Sequence, residues 1–469
     1  MNRDCLIECK KDETVLDALR RQGITIKAFC NGRRKCGKCR VLCDDERMCK
    51  PSHAEVSLLT EEESAAGVRL ACFLFPVDGD VPDLKISILD ELFNEAPILT
   101  SLGDLYPDDD EGGDTFAAFD LGTTTIAVKL VDRGRVIYTG SRRNSQCSFG
   151  ADVISRSEAS IKGAGAALSR CLKNDIDELI NELPCDPMYL IMAGNTTIIH
   201  LLMEYPLDEM VNFPFKPYYC GWHKYRYLTD DGRSYECTIL PNISAYIGGD
   251  IVSGLYYCGF DVSEEINVFL DLGTNGEMAV GNKDRILTAS AAAGPAFEGT
   301  HINVATDVVR CVASLKEWGV IDENGSLKDP YFDTGYPYET DKGYVTISQR
   351  DIRDIQMAKS AIRAGLTILL RKYGVSEDRI NKLYLAGGMG HSLDIDSAVA
   401  IGLIPPSFKD RAVPVGNASL AGCIKYGNRD RDDSGCEAIL KVSGEAILSN
   451  ESDFSELYYE YMMIREFEE

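Results

Sequence analysis

The sequence predicts a multi-domain α/β chain, in which a small β-rich domain precedes two similar α/β subdomains. Its 469 residues suffice for about two to four domains with cores of their own. A motif at Phe116–Thr125, FAAFDLGTTT, returns at Asn267–Glu277 as NVFLDLGTNGE, and both copies continue as strand, polar bend and strand. The expected divisions are an N-terminal domain at 1–90, an acidic linker at 91–114, and subdomains at 115–250 and 251–469.

The net charge and the cysteine content indicate which kinds of partner and which cellular compartment to expect. A net charge of −25 argues against binding to nucleic-acid backbones or anionic membranes. No apolar run is long enough to span a bilayer, and the start, MNRDCLIECKKDE, lacks the pattern of a signal peptide. The chain has 17 cysteines, which without a secretory signal favour metal or thiol chemistry over a disulfide framework. We therefore expect a protein of the reducing cytoplasm.

Four cysteines of the N-terminal domain have the spacing of an iron–sulfur site. Cys30, Cys36 and Cys39 follow the pattern C-x5-C-x2-C, and Cys72 comes much later, in LACF. Three clustered thiolates and one distant thiolate are typical of plant-type ferredoxins, here with a first gap one residue longer than usual. The spacing predicts a 2Fe–2S cluster held by these four residues.

A zinc site is the alternative interpretation of the same loop. It would use Cys36, Cys39, Cys43 and Cys49. Its weakness is that Cys43 directly follows Arg40–Leu42, which has the pattern of a strand rather than of a metal-binding loop. We therefore expect Cys43 and Cys49 to be buried or free thiols rather than ligands.

The predicted cluster is surrounded by five basic side chains, Arg33, Arg34, Lys35, Lys38 and Arg40. Such a loop is either a solvated surface or a docking surface, and the sequence leaves both interpretations open. A docking surface is favoured because electron transfer requires a partner close to the cluster, and because charge steers such encounters.

The linker at 91–114 contains Pro107, an acidic run and a Gly-Gly pair. These residues are typical of an irregular connection between domains. A short charged linker of this kind is expected to hold the N-terminal domain loosely.

The repeated Asp-Leu-Gly-Thr turns have the chemistry of phosphate-binding loops. Gly122 and Gly273 would let backbone N–H groups approach phosphate oxygens closely, and the neighbouring threonines add hydroxyl donors. Asp120 and Asp271 end their strands at the same edge, where each is expected to hold Mg²⁺ mostly through its waters. The predicted nucleotide-binding residues are Gly122, Thr123, Thr124, Thr125, Gly273, Thr274 and Asn275, and the predicted catalytic residues are Asp120, Asp271 and Glu277.

The two loops together resemble those of the superfamily of acetate and sugar kinases, heat-shock chaperones and actin. The resemblance implies two ribonuclease-H-like subdomains that close on ATP. A third element, KLYLAGGMG at Lys382–Gly390, is a strand followed by a Gly-Gly turn, placed where the superfamily contacts adenosine. On that resemblance Gly387 and Gly388 join the nucleotide-binding residues, although a glycine pair is also common in tight turns.

A ferredoxin-type domain joined to such an ATPase resembles the reductive activators of corrinoid-dependent methyltransferases. The matching motifs are CNGRRKCGKC, LACF, DLGTTT, NSQCSFGADVISR, AGNTTIIH, IGGDI, DLGTNGE, AAAGPAFEG, SQRDIRDIQMAKSAIRAG and AGGMG. The resemblance implies a β-grasp N-terminal domain and ATP-dependent one-electron reduction of Co(II) to Co(I) in a corrinoid held by a partner protein. It also implies ATP, Mg²⁺ and a 2Fe–2S cluster as cofactors and a ferredoxin or flavoprotein as external electron donor, and it allows a homodimer.

Two other functions remain open on the sequence alone. One is a small-molecule kinase with a fused ferredoxin redox sensor, which would form a phosphorylated product without a corrinoid partner. The other is a non-enzymatic electron-transfer module that ATP gates in the manner of a chaperone. A rise in ATP turnover on adding a corrinoid protein would distinguish the activator from both.

Three further expectations concern local structure. The apolar spacing of Ser348–Leu370 predicts a long helix, with Ser348 and Asp351 as an N-terminal capping pair. His200 lies on an apolar helix and is expected to be a core histidine rather than a ligand. Glu298, in a loop of small residues, is expected either to face the nucleotide cleft or to lie where the backbone packs closely.

Overall fold

The computed structural model describes residues 2–89, 113–273, 275–294, 308–340, 343–390 and 393–467. The predicted linker at 91–114 lies outside these ranges except for its last two residues, and Thr274 and Glu298 lie outside them too. The described residues form a four-stranded sheet, two six-stranded sheets and a separate hairpin. Among these residues, no helix combines the length and the apolar character needed to cross a membrane.

The N-terminal domain is a four-stranded antiparallel sheet with short helices. Its strands are β1 (Asn2–Cys9), β2 (Arg40–Leu42), β3 (Val68–Leu70) and β4 (Val81–Leu89), in the order β1-β4-β2-β3. Its helices are α1 (Val15–Arg21), α2 (His53–Val56) and α3 (Glu61–Ala65). Thr14 caps α1, whose apolar side chains join the core of the domain. The segment between α1 and β2 is left as a loop, which carries the first three predicted cluster cysteines.

The first six-stranded sheet combines an antiparallel meander with parallel strands. Its strands are β5 (Phe116–Leu121), β6 (Thr125–Asp132), β7 (Arg135–Arg143), β8 (Tyr189–Gly194), β9 (His223–Leu228) and β10 (Ser234–Ile239), and its helices are α4 (Val153–Ala159), α5 (Gly165–Asn181), α6 (Thr196–Leu202), α7 (Asp208–Val211) and α8 (Gly249–Tyr257). The strand order is β7-β6-β5-β8-β10-β9, and β5, β8 and β10 are parallel. β5 and β8 are buried almost throughout because an apolar core lies on each face.

The second six-stranded sheet has the same plan. This half contains the strands β11 (Asn267–Asp271), β12 (Glu277–Asn282), β13 (Arg285–Ser290), β14 (Tyr336–Thr340), β15 (Gly343–Ile347), β16 (Leu383–Ala386), β17 (Ala412–Gly416) and β18 (Ser443–Glu445). Of these, β14 and β15 form the separate hairpin. The sheet order is β17-β16-β11-β12-β13-β18, with β11, β16 and β17 parallel. The helices are α9 (Val308–Glu317), α10 (Tyr331–Thr334), α11 (Gln349–Tyr373), α12 (Gly387–Gly390), α13 (Ile395–Ala400), α14 (Ala418–Asn428), α15 (Ser434–Val442) and α16 (Phe454–Glu460).

The two sheets confirm the repeat and the predicted fold class. In each, a first strand pairs with an antiparallel hairpin on one side and with parallel strands on the other. The long helix predicted at Ser348–Leu370 is α11, and Ser348 caps it in a capping box with Asp351. His200 is fully buried, with Nδ1 2.8 Å from the Thr196 backbone oxygen, so the core assignment is also confirmed.

Helices α8 and α14 lie against each other between the two sheets. One apolar core contains residues of both helices together with Phe116 of β5 and Phe269 of β11. Glycines allow the close approach: a Cβ on Gly422 of α14 would lie 2.0 Å from the Ser253 backbone oxygen of α8. This helix pair therefore joins the two subdomains.

The N-terminal domain contacts the first α/β subdomain directly. Arg20 Nε donates to the Ser148 backbone oxygen at 2.8 Å, and the Ala151 backbone N–H donates to the Phe29 backbone oxygen at 3.2 Å. The composition of the linker predicted a loosely held N-terminal domain. The structure differs from this expectation, because contacts between residues distant in sequence fix the position of the domain.

Gly422→Ala is expected to destabilise the packing of α8 against α14. The added Cβ would collide with the Ser253 backbone, and overpacking of this kind costs about 1–3 kcal/mol of unfolding free energy. Urea unfolding should show the loss. Gly444→Ala is the control, since a Cβ there meets open space. Equal stabilities for the two variants would contradict the close helix contact.

Candidate functional site

The loop between α1 and β2 is folded tightly around the predicted cluster cysteines. Its backbone takes the left-handed conformation at Asn31, Gly32, Arg34 and Gly37, so the chain reverses several times within a few residues. A Cβ on Gly37 would lie 2.8 Å from the Leu58 backbone oxygen, which makes glycine necessary there. The reversals allow the cysteine side chains of the loop to meet.

The four thiols meet as two hydrogen-bonded pairs, Cys30 with Cys36 and Cys39 with Cys72. Within each pair one thiol donates to the sulfur of the other, which lowers the pKa of Cys30 to about 4 and also lowers the pKa of Cys39. The same contacts, together with burial, raise the pKa of Cys36 and of Cys72. Charge interactions link Cys72 to Cys30 and Cys36 as well, so the four thiols form one cluster.

This thiol set fits a 2Fe–2S cluster, in which each iron takes two cysteine thiolates. Among the described residues, no three His, Cys, Asp or Glu side chains are arranged to hold a single metal ion. Backbone N–H groups of Arg33, Lys35 and Cys36 donate to the Cys30 sulfur, and that of Lys38 donates to the Cys36 sulfur. Hydrogen bonds to sulfur are among the contacts that set the reduction potential of such clusters.

The cysteines of the alternative zinc site do not converge. The Cys49 thiol donates to the Phe73 backbone oxygen at 3.3 Å, and Cys43 lies near Cys9 beside the domain core. Burial raises the pKa of the Cys43 thiol, which keeps it protonated. Neither forms a disulfide, and their expected role as thiols rather than ligands stays a prediction.

The basic side chains around the thiols are partly engaged within the chain. Arg33 forms an ion pair with Glu158 of α4, and Arg34 Nε donates to the Cys72 backbone oxygen at 3.1 Å. Lys35 is exposed. The docking role of this loop stays a prediction, and the contacts of Arg33 and Arg34 leave Lys35 as its clearest candidate.

Four carboxylates meet between the two six-stranded sheets. Asp120 lies near the end of β5, Asp271 ends β11, Glu277 begins β12, and Asp250 lies in the first turn of α8. Burial, with repulsion from Asp120 and Asp271, raises the pKa of Asp250 to about 8. Burial and the neighbouring carboxylates also raise the pKa of Glu277, which accepts from Asn275 Nδ2 at 2.9 Å. In the described ranges no three of these carboxylates are arranged to hold one metal ion directly.

Asp120 is also a contact between the two subdomains. Its carboxylate accepts from Asn417 Nδ2 at 2.7 Å and from Ser419 Oγ at 2.8 Å, at the start of α14. These bonds oppose burial, which raises the pKa of Asp120. Because Asn417 also caps α14 by accepting from the Leu420 N–H, the Asp120 carboxylate is tied to the end of β17.

The first predicted phosphate loop is a tight turn between β5 and β6. The Gly122 N–H donates to the Thr125 backbone oxygen at 3.0 Å, and a Cβ on Gly122 would lie 2.6 Å from that oxygen. Thr123 is buried in the turn. The backbone oxygens of Gly122 and Thr124 accept from Asn144, so the turn is held from both sides.

The second predicted phosphate loop lies against the Gly-Gly turn. A Cβ on Gly387 would lie 2.7 Å from Asp271 Oδ1 and 3.2 Å from the Gly273 backbone nitrogen. Gly388 follows in α12, where a Cβ would meet open space. The structure therefore brings Asp271, Gly273 and the Gly-Gly turn together at one sheet edge.

Three residues of the cleft, Asp250, Asn417 and Ser419, were not among the predicted site residues. Each follows a parallel strand of one of the two sheets, at the edge where such folds place their ligands. Asp250 stands in the IGGDI motif and Asn417 begins a helix after a glycine. The position of these three residues after the ends of parallel strands was the feature of the sequence from which they could have been predicted.

Three stretches of the chain match known protein families. Residues 2–77 match the 2Fe-2S iron-sulfur cluster binding domain. Residues 116–263 match the RACo middle region. Residues 265–307 and 305–469 match the C-terminal domain of RACo, described as the ASKHA domain.

Two characterised proteins and one solved structure are similar to the chain. Corrinoid activation enzyme RamQ from Eubacterium limosum is 26% identical over 416 residues, 73% of this chain and 69% of that protein. The [Co(II) methylated amine-specific corrinoid protein] reductase from Methanosarcina barkeri is 26% identical over 275 residues, 48% of this chain and 50% of that protein. A solved reductive activator for corrinoid, iron-sulfur protein covers 97% of this chain and 96% of its own, with a TM-score of 0.68 and 24% identity, and so shares the fold.

Cys36→Ser and Cys43→Ser should have opposite effects on iron binding. Cys36 belongs to the four-thiol set, whereas Cys43 lies near Cys9 outside it. After anaerobic purification, Cys36→Ser should lose or severely alter the visible spectrum of a 2Fe–2S cluster, and Cys43→Ser should keep it. Equal iron contents and spectra for the two variants would contradict the assignment.

Proposed function

Because the chain belongs to the RACo family of corrinoid reductive activators, we propose that it uses ATP to return an inactive corrinoid protein to its active state. The reaction is a one-electron reduction of Co(II) to Co(I) in a corrinoid held by a partner protein. The proposal rests on the presence of two sites in one chain. One is a loop that brings two pairs of thiols together, and the other is an acidic cleft between two turns that resemble phosphate-binding loops. The thiol loop suits electron transfer and the cleft suits ATP.

The electron enters from outside the chain. A 2Fe–2S cluster bound by Cys30, Cys36, Cys39 and Cys72 would supply one-electron transfer. An external ferredoxin or flavoprotein loses one electron and the cobalt of the partner gains it. Cys30 and Cys36 are partly exposed while Cys39 and Cys72 are buried, which supports an exchange of electrons on the side of the first pair.

ATP is needed because the reduction of cobalt is uphill. Each ~59 mV of unfavourable potential lowers a one-electron equilibrium constant tenfold. A protein offsets such a gap only by binding two states with different affinities. We infer that ATP closes the cleft and favours a complex in which the partner's cobalt has lost an axial ligand, which raises its potential. Hydrolysis then releases the partner.

The cleft residues take separate roles in this proposal. Gly122–Thr125 and Gly273–Asn275 bind phosphate oxygens, and the Gly-Gly turn that begins α12 contacts adenosine. Asp120 and Asp271 would hold Mg²⁺. Glu277, whose pKa burial raises, would take up or release the proton of the attacking water. The repulsion around Asp250 supports a cation in the cleft, because a divalent charge would relieve it.

We also propose a cytoplasmic location. None of the 17 cysteines, all of which lie in the described residues, forms a disulfide, which supports a reducing compartment. The expected partners are a corrinoid protein of a methyltransferase system and the electron donor, with neither nucleic acid nor membrane involved, and a second copy of the chain is compatible with the proposal.

Asp271→Ala should retain iron but lose ATP hydrolysis and corrinoid reduction together. Loss of one electrostatic contact to a reacting phosphate typically costs on the order of a hundredfold in rate. Phosphate release and the appearance of Co(I) absorbance give the two rates. Asp284→Ala is the control, since Asp284 lies exposed on the bend between β12 and β13 and should behave as wild type. Normal ATP-dependent reduction in Asp271→Ala would remove Asp271 from the mechanism.

A further inference from the structure

One segment touches both halves of the proposed machinery. Residues 144–151, called here the bridging segment, leave β7, pass the first phosphate loop and reach the N-terminal domain before α4 begins. Their centre is a 3₁₀ turn at Ser145–Ser148. The N-terminal domain and the first six-stranded sheet have separate apolar cores, so the segment is a physical route between two independent units.

At its first residue the bridging segment is bonded to the first phosphate loop. Asn144 Nδ2 donates to the Gly122 backbone oxygen at 3.0 Å, and the Asn144 N–H donates to the Thr124 backbone oxygen at 2.9 Å. Asn144 is fully buried, so breaking these bonds would leave polar groups unsatisfied. A change in the backbone of the loop at Gly122–Thr125 therefore displaces Asn144.

The turn that follows is stiff. The Ser145 N–H and Oγ donate to the two carboxylate oxygens of Asp175, each at 2.7 Å. The Gln146 N–H donates to Asn144 Oδ1 and its Nε2 donates to the Leu168 backbone oxygen, each at 3.0 Å. The Gln146 bonds are buried and the Ser145 bonds to α5 are partly buried, so a displacement at Asn144 is passed along the turn rather than absorbed within it.

At its other end the bridging segment holds the N-terminal domain. The Ser148 backbone oxygen accepts from Arg20 Nε at 2.8 Å and also from Arg20 Nη2, and Ser148 Oγ accepts from the Ile26 N–H at 3.2 Å. The Ala151 N–H donates to the Phe29 backbone oxygen at 3.2 Å. Since Phe29 directly precedes the first cysteine of the thiol set, these bonds set the position of the cysteine loop.

Arg20 links this contact to the thiols themselves. Its Nη2 also donates to Asn31 Oδ1 at 2.9 Å, and its guanidinium lies over the Phe149 ring, 4.9 Å from the centroid. The side chain is only 13% exposed, and its charge interacts with the thiols of Cys30 and Cys39. One side chain thus joins the bridging segment, the cysteine loop and the electrostatic environment of the thiol set.

We propose that Arg20 is a positioning residue that couples nucleotide binding at the first phosphate loop to the placement of the cysteine loop. The inference rests on the proposed function, since it connects the two sites named there. Nucleotide in the cleft favours the docked N-terminal domain through the bridging segment, and docking raises the affinity for nucleotide by the same factor. A merely static contact would give Arg20 an effect on stability and none on nucleotide affinity.

The affinity of the full-length, iron-loaded chain for MgADP tests this coupling. Calorimetric titrations compare wild type with Arg20→Met, Arg20→Lys and Arg21→Met. Arg21 is a matched control because it neighbours Arg20 on α1 but bonds to Glu13 and Glu8 of its own domain. Both Arg20 variants should bind MgADP about fivefold or more weakly, the usual lower size of coupling between sites, whereas Arg21→Met should bind as wild type. Lysine fails here because it lacks the fork that contacts Ser148 and Asn31 together.

The midpoint potential of the iron–sulfur centre gives a second reading, which separates the effect of the Arg20 charge from the effect of its hydrogen bonds. Arg20→Met removes a positive charge beside the thiolates, so its midpoint should be more negative than that of wild type. Arg20→Lys keeps the charge and should stay near wild type. If the Arg20 variants lose iron, Phe149→Leu removes the ring on the opposite side of the contact and should weaken MgADP binding in the same way.

Wild-type affinity for MgADP in the Arg20 and Phe149 variants would overturn the coupling. An absence of the iron–sulfur spectrum, or of MgADP binding, in the wild-type chain would instead overturn the proposed function. The two failures are distinguishable, because the first appears only when variants are compared with a working wild type.

Discussion

Repulsion among buried and partly buried carboxylates is the constraint on which the cleft depends. Asp120, Asp250 and Glu277 come from different elements, and burial raises the pKa of each. Such a group of acids is costly unless protons or a cation neutralise it. The repeated sheet plan explains how they meet, because in both halves the first strand and the parallel strands beside it end at the same edge. The fold therefore brings acidic side chains of both subdomains to one cleft.

The same cleft is where the two subdomains are joined. Asp120 accepts from Asn417 and Ser419 across the subdomain boundary, and the glycine-lined contact of α8 with α14 lies behind it. Occupation of the cleft would act on this joint, and Asn144 connects the first phosphate loop to the segment that holds the N-terminal domain. Differential binding of two states is the means by which ATP can act on an electron transfer. The structure provides a continuous set of buried and partly buried hydrogen bonds along which that difference can travel.

Local patterns in the sequence predict much of this architecture. The repeated Asp-Leu-Gly-Thr turn predicts both sheets, since strand, turn and hairpin lie within one short window, and the capping pair at Ser348 predicts the start of α11. The cysteine spacing selects the same four thiols that the fold brings together. The bond from Asn417 to Asp120 spans 297 residues and the bond from Arg20 to Ser148 spans 128. No periodicity or spacing encodes such pairs, so the carboxylate contact and the docking of the N-terminal domain became visible only in three dimensions.

The most direct test of the account is the reduction of a Co(II) corrinoid protein by the chain and a reduced electron donor, followed by Co(I) absorbance with and without MgATP. The account predicts that Co(I) accumulates only with MgATP, and that phosphate release accelerates when the Co(II) protein is added. Equal Co(I) formation without MgATP would contradict it. So would phosphate release that is indifferent to the corrinoid protein and accompanied by a phosphorylated small molecule, the outcome expected of a kinase with a redox sensor.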